Sequence, residues 1–431
     1  MTLTGRIGLL ATAAALIVGV FAPSWWGIAA VCAVLIALVW VDVVRAGSVR
    51  DVAIVREGSE SVRLGATATV TLTVTNTGKR TVRGVMRDAW VPSAGAHQTR
   101  FPLHLKPGQR QKVTLSLTPT RRGDRGAVRT TIRSVGPLGM AARQGHHLVP
   151  WTIRALPPFS SRKHLPSRLA RLRELDGRQA ILQRGEGTEF DSLREYVAGD
   201  DVRSIDWRAT ARASDVMVRT WRPERDRRII IVLDTGRTSA GRVGDAPRLD
   251  AGMDAALLLA VLASRAGDRV DFVAYDRTTR ASVAGVGATQ LLPTLVNAMA
   301  PLSPVLAESD TRGMVSEVLR RAKQRALVVV ITPLEPAAIE AGLIPALPAL
   351  TARHRVIVAS VADPTIAELA RGRGDRNAVY AAAAAERTIA DRTRVAAVLT
   401  KAGVTVVDHT PEELPPALAD TYIDLKAAGK L

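Results

Sequence analysis

Apolar positions follow three different patterns along this chain. Residues 7–21 and 26–41 are apolar or small throughout. Each run falls slightly short of the ~20 residues that span a bilayer, and flanking residues extend them to 3–22 and 25–44. Between them, Ala22-Pro23-Ser24 gives a turn, and Trp25 and Trp26 suit a headgroup interface. The pattern predicts a helical hairpin over residues 1–46. A cleaved signal peptide is the alternative, but a second apolar run directly downstream argues against it.

From residue 47 to 155 the pattern changes to period two. Thr67 to Thr75 alternates polar and apolar side chains and is rich in β-branched residues, as a half-buried strand requires. Residues 81–90, 111–117 and 127–133 read as further strands. Asn76-Thr77-Gly78-Lys79, Lys106-Pro107-Gly108-Gln109 and Arg121-Arg122-Gly123-Asp124 punctuate them. Short strands at this spacing predict an immunoglobulin-like β-sandwich.

Residues 156–184, with Pro157, Pro158 and Pro166, read as a linker, and 185–225 as a dense mixed-charge segment. From 226 to 431 strands and helices alternate. The aliphatic runs at 228–233 and 326–332 read as strands buried on both faces. Further strands are expected at 270–275, 356–361 and 404–407. Helices are expected at 248–266, 290–299, 312–323, 338–350, 381–402 and 416–427. This predicts a doubly wound α/β domain with a parallel sheet, whose ligands bind beyond the carboxyl ends of the strands.

Charge sharpens this division. The chain carries 59 basic and 40 acidic residues, net +19. Residues 45–155 hold 19 basic and 5 acidic groups, so most of the excess follows the apolar hairpin. Its natural partner there is anionic membrane lipid. Nucleic acid is the rival, but the segment's only Trp residues, Trp90 and Trp151, give no stacking series, so no nucleic-acid partner is expected. Arg6 precedes the hairpin and Arg45, Arg50 and Arg56 follow it, while the turn is uncharged. The positive-inside rule then puts both termini in the cytoplasm and the protein in the inner membrane. The single Cys, Cys32, excludes an intrachain disulfide framework and a Cys-rich metal site. His146 and His147 are adjacent in an expected strand, so they face opposite ways and do not share an ion.

The mixed-charge segment is the densest motif. Gly185-Glu186-Gly187 lacks the Lys-Ser/Thr of a phosphate loop, and Glu186 and Glu189 would repel an anion. Gly199-Asp200-Asp201 makes a tight turn. Arg194, Tyr196, Asp200, Asp201, Arg203, Asp206, Trp207, Arg208 and Arg212 then form either a structural cap or a docking surface, since Arg, Tyr and Trp are enriched at interfaces.

The stretch from Gly185 to Arg219, followed by Glu224-Arg225-Asp226, resembles the signature of the bacterial family called domain of unknown function 58. Arg121-Arg122-Gly123 and Ser134-Val135-Gly136-Pro137-Leu138-Gly139 in the sandwich extend the resemblance to essentially the whole chain. It implies a membrane hairpin, a β-sandwich and a von Willebrand factor A-like domain, with a MoxR-type AAA+ ATPase as partner. That fold usually carries a metal-ion-dependent adhesion site of Asp-x-Ser-x-Ser, a Thr and a second Asp, suited to Mg²⁺. Here the first loop is Asp234-Thr235-Gly236-Arg237-Thr238, with Asp234 kept and Thr238 standing for a Ser. Ser309 or Thr311 supplies the second loop, and Pro333 stands where the last Asp would be. Two of five ligands are missing. The expected site is degenerate, with Asp234 paired to a neighbouring Arg and no cofactor required beyond optional Mg²⁺.

The expected function is therefore a non-enzymatic, membrane-anchored adaptor presenting its α/β domain to an ATPase or client. The alternatives are a metal-dependent hydrolase built on Asp234 and Asp206, and a basic nucleic-acid-binding module. The hydrolase lacks the convergent acids or nucleophile motifs that such chemistry needs.

Overall fold

A computed structural model describes the chain apart from residues 22, 183–188, 199, 214 and 223–226, with backbone alone at 176–182, 189–192 and 220–222. The Gly185-Glu186-Gly187 and Glu224-Arg225-Asp226 parts of the motif therefore lie outside the described residues. The chain divides into two compact units, Met1–Pro158 and Phe159–Leu431.

The first unit opens with two helices, α1 (Gly5–Phe21) and α2 (Trp25–Arg45). Ser24 caps α2 by accepting from the Gly27 amide at 3.1 Å. α2 is long and apolar enough to cross a membrane, while α1 is a shorter apolar helix of 17 residues. Eight main strands follow: β1 (Val52–Gly58), β2 (Ala68–Asn76), β3 (Val82–Trp90), β4 (Arg100–Leu105), β5 (Arg110–Leu117), β6 (Gly123–Val135), β7 (Ala141–His147) and β8 (Thr152–Leu156). β1, β2 and β5 form one antiparallel sheet. The 13-residue β6 pairs with β3, β7 and β8 in the other, and β4 adds to β3. Alternation works as expected: Val70, Leu72 and Val74 of β2 meet Met86, Ile132, Leu115 and Leu117 in a shared core.

Four strands escape the pattern. β1, β4, β7 and β8 are short or interrupted by Pro102, Gly145 or charged residues, so their periodicity is weak.

One acid organises the foot of the helices. Asp42 is fully buried in the last turn of α2. Its carboxylate accepts from the Leu138, Met140 and Ala141 amides at 2.7, 2.6 and 2.8 Å. A Cβ on Gly136 would lie 2.3 Å from Asp42 Oδ1, so only glycine admits the carboxylate to this turn. Thr2–Leu3 pairs with β7, and the Thr4 hydroxyl donates to the Gly139 carbonyl at 2.7 Å. Both helices are thus joined to the β6–β7 hairpin, which explains the Ser134–Gly139 motif physically.

The second unit begins earlier than the sequence suggests. The stretch expected to be a linker holds a short 3-10 turn, Ser160–His164, and helix α3 (Leu165–Leu182). Ser161 is buried, and its amide and hydroxyl donate to Asp254 at 3.1 and 2.8 Å. Arg168 and Arg171 pair with Asp420 and Asp424, both at 2.7 Å. Prolines obscure this helix because Pro166 sits in its first turn, where its missing N–H is harmless.

After a two-stranded ladder of β9 (Glu189–Glu195) and β10 (Met217–Arg222) comes the α/β domain. Its strands are β11 (Arg228–Asp234), β12 (Arg269–Tyr275), β13 (Thr279–Val283), β14 (Ala326–Ile331), β15 (Arg355–Val361) and β16 (Thr405–His409). The order is β13-β12-β11-β14-β15-β16. Five strands are parallel, but β13 runs antiparallel to β12 at the edge, which corrects the expectation of an all-parallel sheet. Its polar, exposed sequence Thr-Arg-Ala-Ser-Val carries little signal. Helix α4 (Arg248–Arg265) is buried along most of its length, because further helices cover it outside the sheet. Among these is α5 (Leu414–Ala427).

Candidate functional site

The central strand β11 ends at Asp234, 6% exposed, beside the point where the strand order reverses between β11 and β14. Doubly wound sheets bind ligands at such a switch point. Two loops complete the place. Backbone bonds Thr235 N to Tyr275 O, Val305 N to Thr235 O and Arg237 N to Ala307 O lay the segment before Ser309 along the loop after β11. Thr332 continues β14, its amide bonded to Ala359 O at 3.0 Å.

These constraints bring three donors to one carboxylate. Asp234 Oδ1 accepts from the Gly236 amide at 2.8 Å and from Ser309 Oγ at 2.5 Å, and Oδ2 accepts from Thr332 Oγ1 at 2.8 Å. A Cβ on Gly236 would lie 2.1 Å from Ser309 Oγ. The residue that lacks a ligand side chain is therefore the one that makes room for Ser309. Ser239 Oγ donates to the Asp234 carbonyl at 2.8 Å.

Three expectations change here. Among the described residues no hydrogen bond joins the Thr238 hydroxyl to Asp234; its neighbour Ser239 holds the loop instead. Among the described residues no ion pair joins Asp234 to an arginine: Arg237 reaches Glu308 at 3.1 Å, and Asp234 is held by the Gly236 amide and two hydroxyls. Thr311 opens the next helix (Thr311–Arg321), capped by Asp310, rather than joining the cluster. The sequence did flag Asp234 and Ser309. The ligand pattern places Pro333 where the last Asp would be, one residue beyond Thr332, whose signal in the sequence is its place at the end of a buried strand.

A second carboxylate lies beyond the adjacent strand. Thr235 Oγ1 donates to Asp276 Oδ2 at 3.3 Å, and Arg280 Nε to the same oxygen at 2.6 Å. Burial tends to raise the Asp276 carboxyl, but Arg280 and the Arg277 and Thr278 amides outweigh it and lower it. Asp276 stays ionised and committed to its own turn.

Carboxylate and hydroxyl oxygens are hard donors of the type Mg²⁺ takes. Asp234, Ser309 and Thr332 fit such an ion as one anionic and two neutral ligands, with water needed to complete an octahedron.

The segment between β9 and β10 is built differently. Asp201 caps the turn Val202–Ser204 through the Arg203 amide at 3.0 Å. Asp206 caps Trp207–Thr210 through the Arg208 and Ala209 amides, both at 3.0 Å, and accepts Arg219 Nε at 2.8 Å. Arg194 pairs with Asp200 at 2.5 Å. The Ala209 amide, followed by Arg219, holds the Asp206 carboxyl below its ordinary value. Arg194, followed by the Val197 amide, lowers Asp200. Of the residues singled out from sequence, Arg194, Asp200, Asp201 and Asp206 thus hold the segment together. Arg203, Trp207, Arg208 and Arg212 are exposed, Trp207 at 67%, with Tyr196 beside this group in exposure.

The second unit is thus an α/β domain with a strand-end oxygen cluster on its doubly wound sheet, next in sequence to an arginine- and tryptophan-bearing loop. Residues 192–390 match the family described as "Protein of unknown function DUF58". Similar proteins include the uncharacterized proteins Rv1480 of Mycobacterium tuberculosis and Mb1516 of Mycobacterium bovis, each 27% identical over 188 residues, 43% of this chain. The chain spans 58% of the length of these relatives. Among solved structures, the CARDB domain of the PF1109 protein from Pyrococcus furiosus is 18% identical, with a TM-score of 0.19 over 24% of this chain and 87% of that one. A FixG-related protein from Vibrio parahaemolyticus is 10% identical, with a TM-score of 0.17 over 24% and 96%. Likenesses at this level carry no functional inference.

Proposed function

We propose that this protein is a non-enzymatic, membrane-anchored adaptor that presents a von Willebrand factor A-like domain to a cytoplasmic MoxR-type AAA+ ATPase or its client. The observation that carries the proposal is the division of labour between β9 and β10. The acids there serve caps and ion pairs, while Trp207, Arg203, Arg208 and Arg212 face solvent. Large aromatic and arginine side chains held out on a fixed frame are the usual anchors of protein interfaces. The strand order and the Asp234 cluster support the von Willebrand factor A-like reading, in which Asp234, Ser309 and Thr332 would hold Mg²⁺ and the ion would offer an open position to a partner's carboxylate. The apolar α1 and α2 support a hairpin anchor with both ends in the cytoplasm.

The hydrolase alternative has less support, because Asp206 is engaged by two amides and Arg219.

The test is co-purification of the detergent-solubilised full-length chain with a MoxR-type ATPase from its source organism. Replacing Arg203 and Trp207 by Ala should abolish recovery while changing stability by under ~0.5 kcal/mol, as expected of exposed positions. Unchanged recovery by the double variant would remove the docking role.

A further inference from the structure

Three of the first unit's arginines, Arg50, Arg129 and Arg143, gather at one place. Two adjoining open clefts, about 560 and 240 Å³, lie at the foot of α1 and α2. They share Met1, Gln144, Gly145 and His146. Arg50 and Arg143 line the larger one and Arg129 the smaller. No Asp or Glu lines either.

The fold explains this grouping. In the β6–β7 pairing His146 stands opposite Thr131 and Gln144 opposite Arg133, so these side chains share the outer sheet face with Arg129. Arg143 is drawn toward the helices, its Nε donating to the Val43 carbonyl at 2.8 Å. His147 Nε2 meets the Val49 carbonyl at 3.0 Å, which brings the chain after α2 onto β7. Arg50 is thereby placed beside the β-hairpin that also receives Asp42.

We infer that these clefts form a binding site for the phosphate of an anionic phospholipid headgroup. The inference rests on the proposed membrane anchoring and deepens it. Position selects the ligand. Met1 lies four residues before α1 and Arg50 five residues after α2, so a bilayer crossed by these helices sets its headgroup layer against the clefts. Exposed apolar side chains, Met1, Leu3 and Leu138, adjoin the same foot and suit the acyl boundary. Guanidinium groups fork onto phosphate oxygens, and basic pockets beside membrane helices recognise such headgroups. A free anion would draw nothing from the apolar surroundings.

The test uses the full-length chain in neutral detergent. Native mass spectrometry reads retention of dioleoylphosphatidylglycerol against dioleoylphosphatidylcholine. The wild type should retain phosphatidylglycerol preferentially. Arg50→Gln with Arg129→Gln should lower that preference about tenfold or more. Arg50→Lys with Arg129→Lys should keep most of it, which separates lost charge from misfolding. Lys106→Gln with Arg110→Gln, an equal charge change on exposed residues outside the clefts, should leave it unchanged. Equal retention of the two lipids, or an equal loss in the Lys106/Arg110 variant, would overturn the site. Displacement by millimolar inorganic phosphate would reassign it to a soluble anion. Alkaline extraction of cell membranes distinguishes the two layers of the argument. A chain washed off the membrane removes the anchor and the site together; a chain that stays but shows no lipid preference removes the site alone.

Discussion

Asp42 and Asp234 are both buried carboxylates that receive three hydrogen bonds, yet the donors differ in kind. Asp42 is held by three backbone amides, whose N–H groups cannot turn away. Asp234 is held by one amide and two hydroxyls. A hydroxyl is donor and acceptor at once. Rotating Ser309 and Thr332 would present lone pairs where protons now point, and the same three oxygens could then surround a cation. The first arrangement suits a permanent joint; the second can change what it holds. Counting hydrogen bonds would not distinguish them.

The comparison can be broken at its strong end. Asp42→Ala leaves a cavity and three amides without their acceptor, of which the Ala141 amide is buried and the Leu138 and Met140 amides part-buried; a buried donor left unpaired costs roughly 1–3 kcal/mol. We expect the first unit to lose about 3–5 kcal/mol, read as a lowered denaturation midpoint or faster proteolysis within residues 136–141. A loss below about 1 kcal/mol would mean that the joint is not built on this acid.

Asp234→Ala should cost less, about 1–3 kcal/mol, because two of its donors can rotate to other partners. It should also remove any heat of Mg²⁺ binding in calorimetry on the full-length chain. A binding isotherm that survives the substitution would place the ion elsewhere.

Gly236→Ala sharpens the contrast. Its Cβ must displace Ser309, 2.1 Å away, from the carboxylate. About 1 kcal/mol of stability should go with that hydrogen bond, and Mg²⁺ affinity should fall while Asp234 remains.

The smallest effect is on pH dependence. Asp200 and Asp206 both have carboxyls lowered in the folded state. Their stabilisation is therefore present above the unfolded pKa and lost as pH falls through the folded one. The amide resonances of Arg208 and Ala209 should hold their positions at pH 5 and shift only below about pH 4. A transition near neutrality would contradict the caps.

Much of this architecture can be read from the sequence, for identifiable reasons. β2 and β11 declare themselves because one is half-buried with strict alternation and the other is buried on both faces. α3 does not, since Pro166 and the polar run from Ser160 look like linker until Ser161 is seen against Asp254. The edge strand β13 is hidden by its own polarity. At the site, Asp234 is legible as the acid ending an aliphatic run. Thr332 is not, because its role depends on a path that brings residues 98 positions apart into contact, and Ser239 is not, because its hydroxyl serves the backbone carbonyl of Asp234 rather than standing at a position of the ligand pattern. The loop acids are legible as charges, but their use as caps depends on a local backbone path that no spacing announces.

The position of Asp42 has a mechanical corollary. Because the final turn of α2 is sunk into protein, the stretch free to meet hydrocarbon runs from Trp25 to about Val41, roughly 26 Å at 1.5 Å per residue. That is close to the thickness of a bilayer interior. No slack chain separates lipid from sandwich, so in an anchored protein the sandwich would ride at a set height and heading above the membrane, like a post set in its socket rather than a float on a tether.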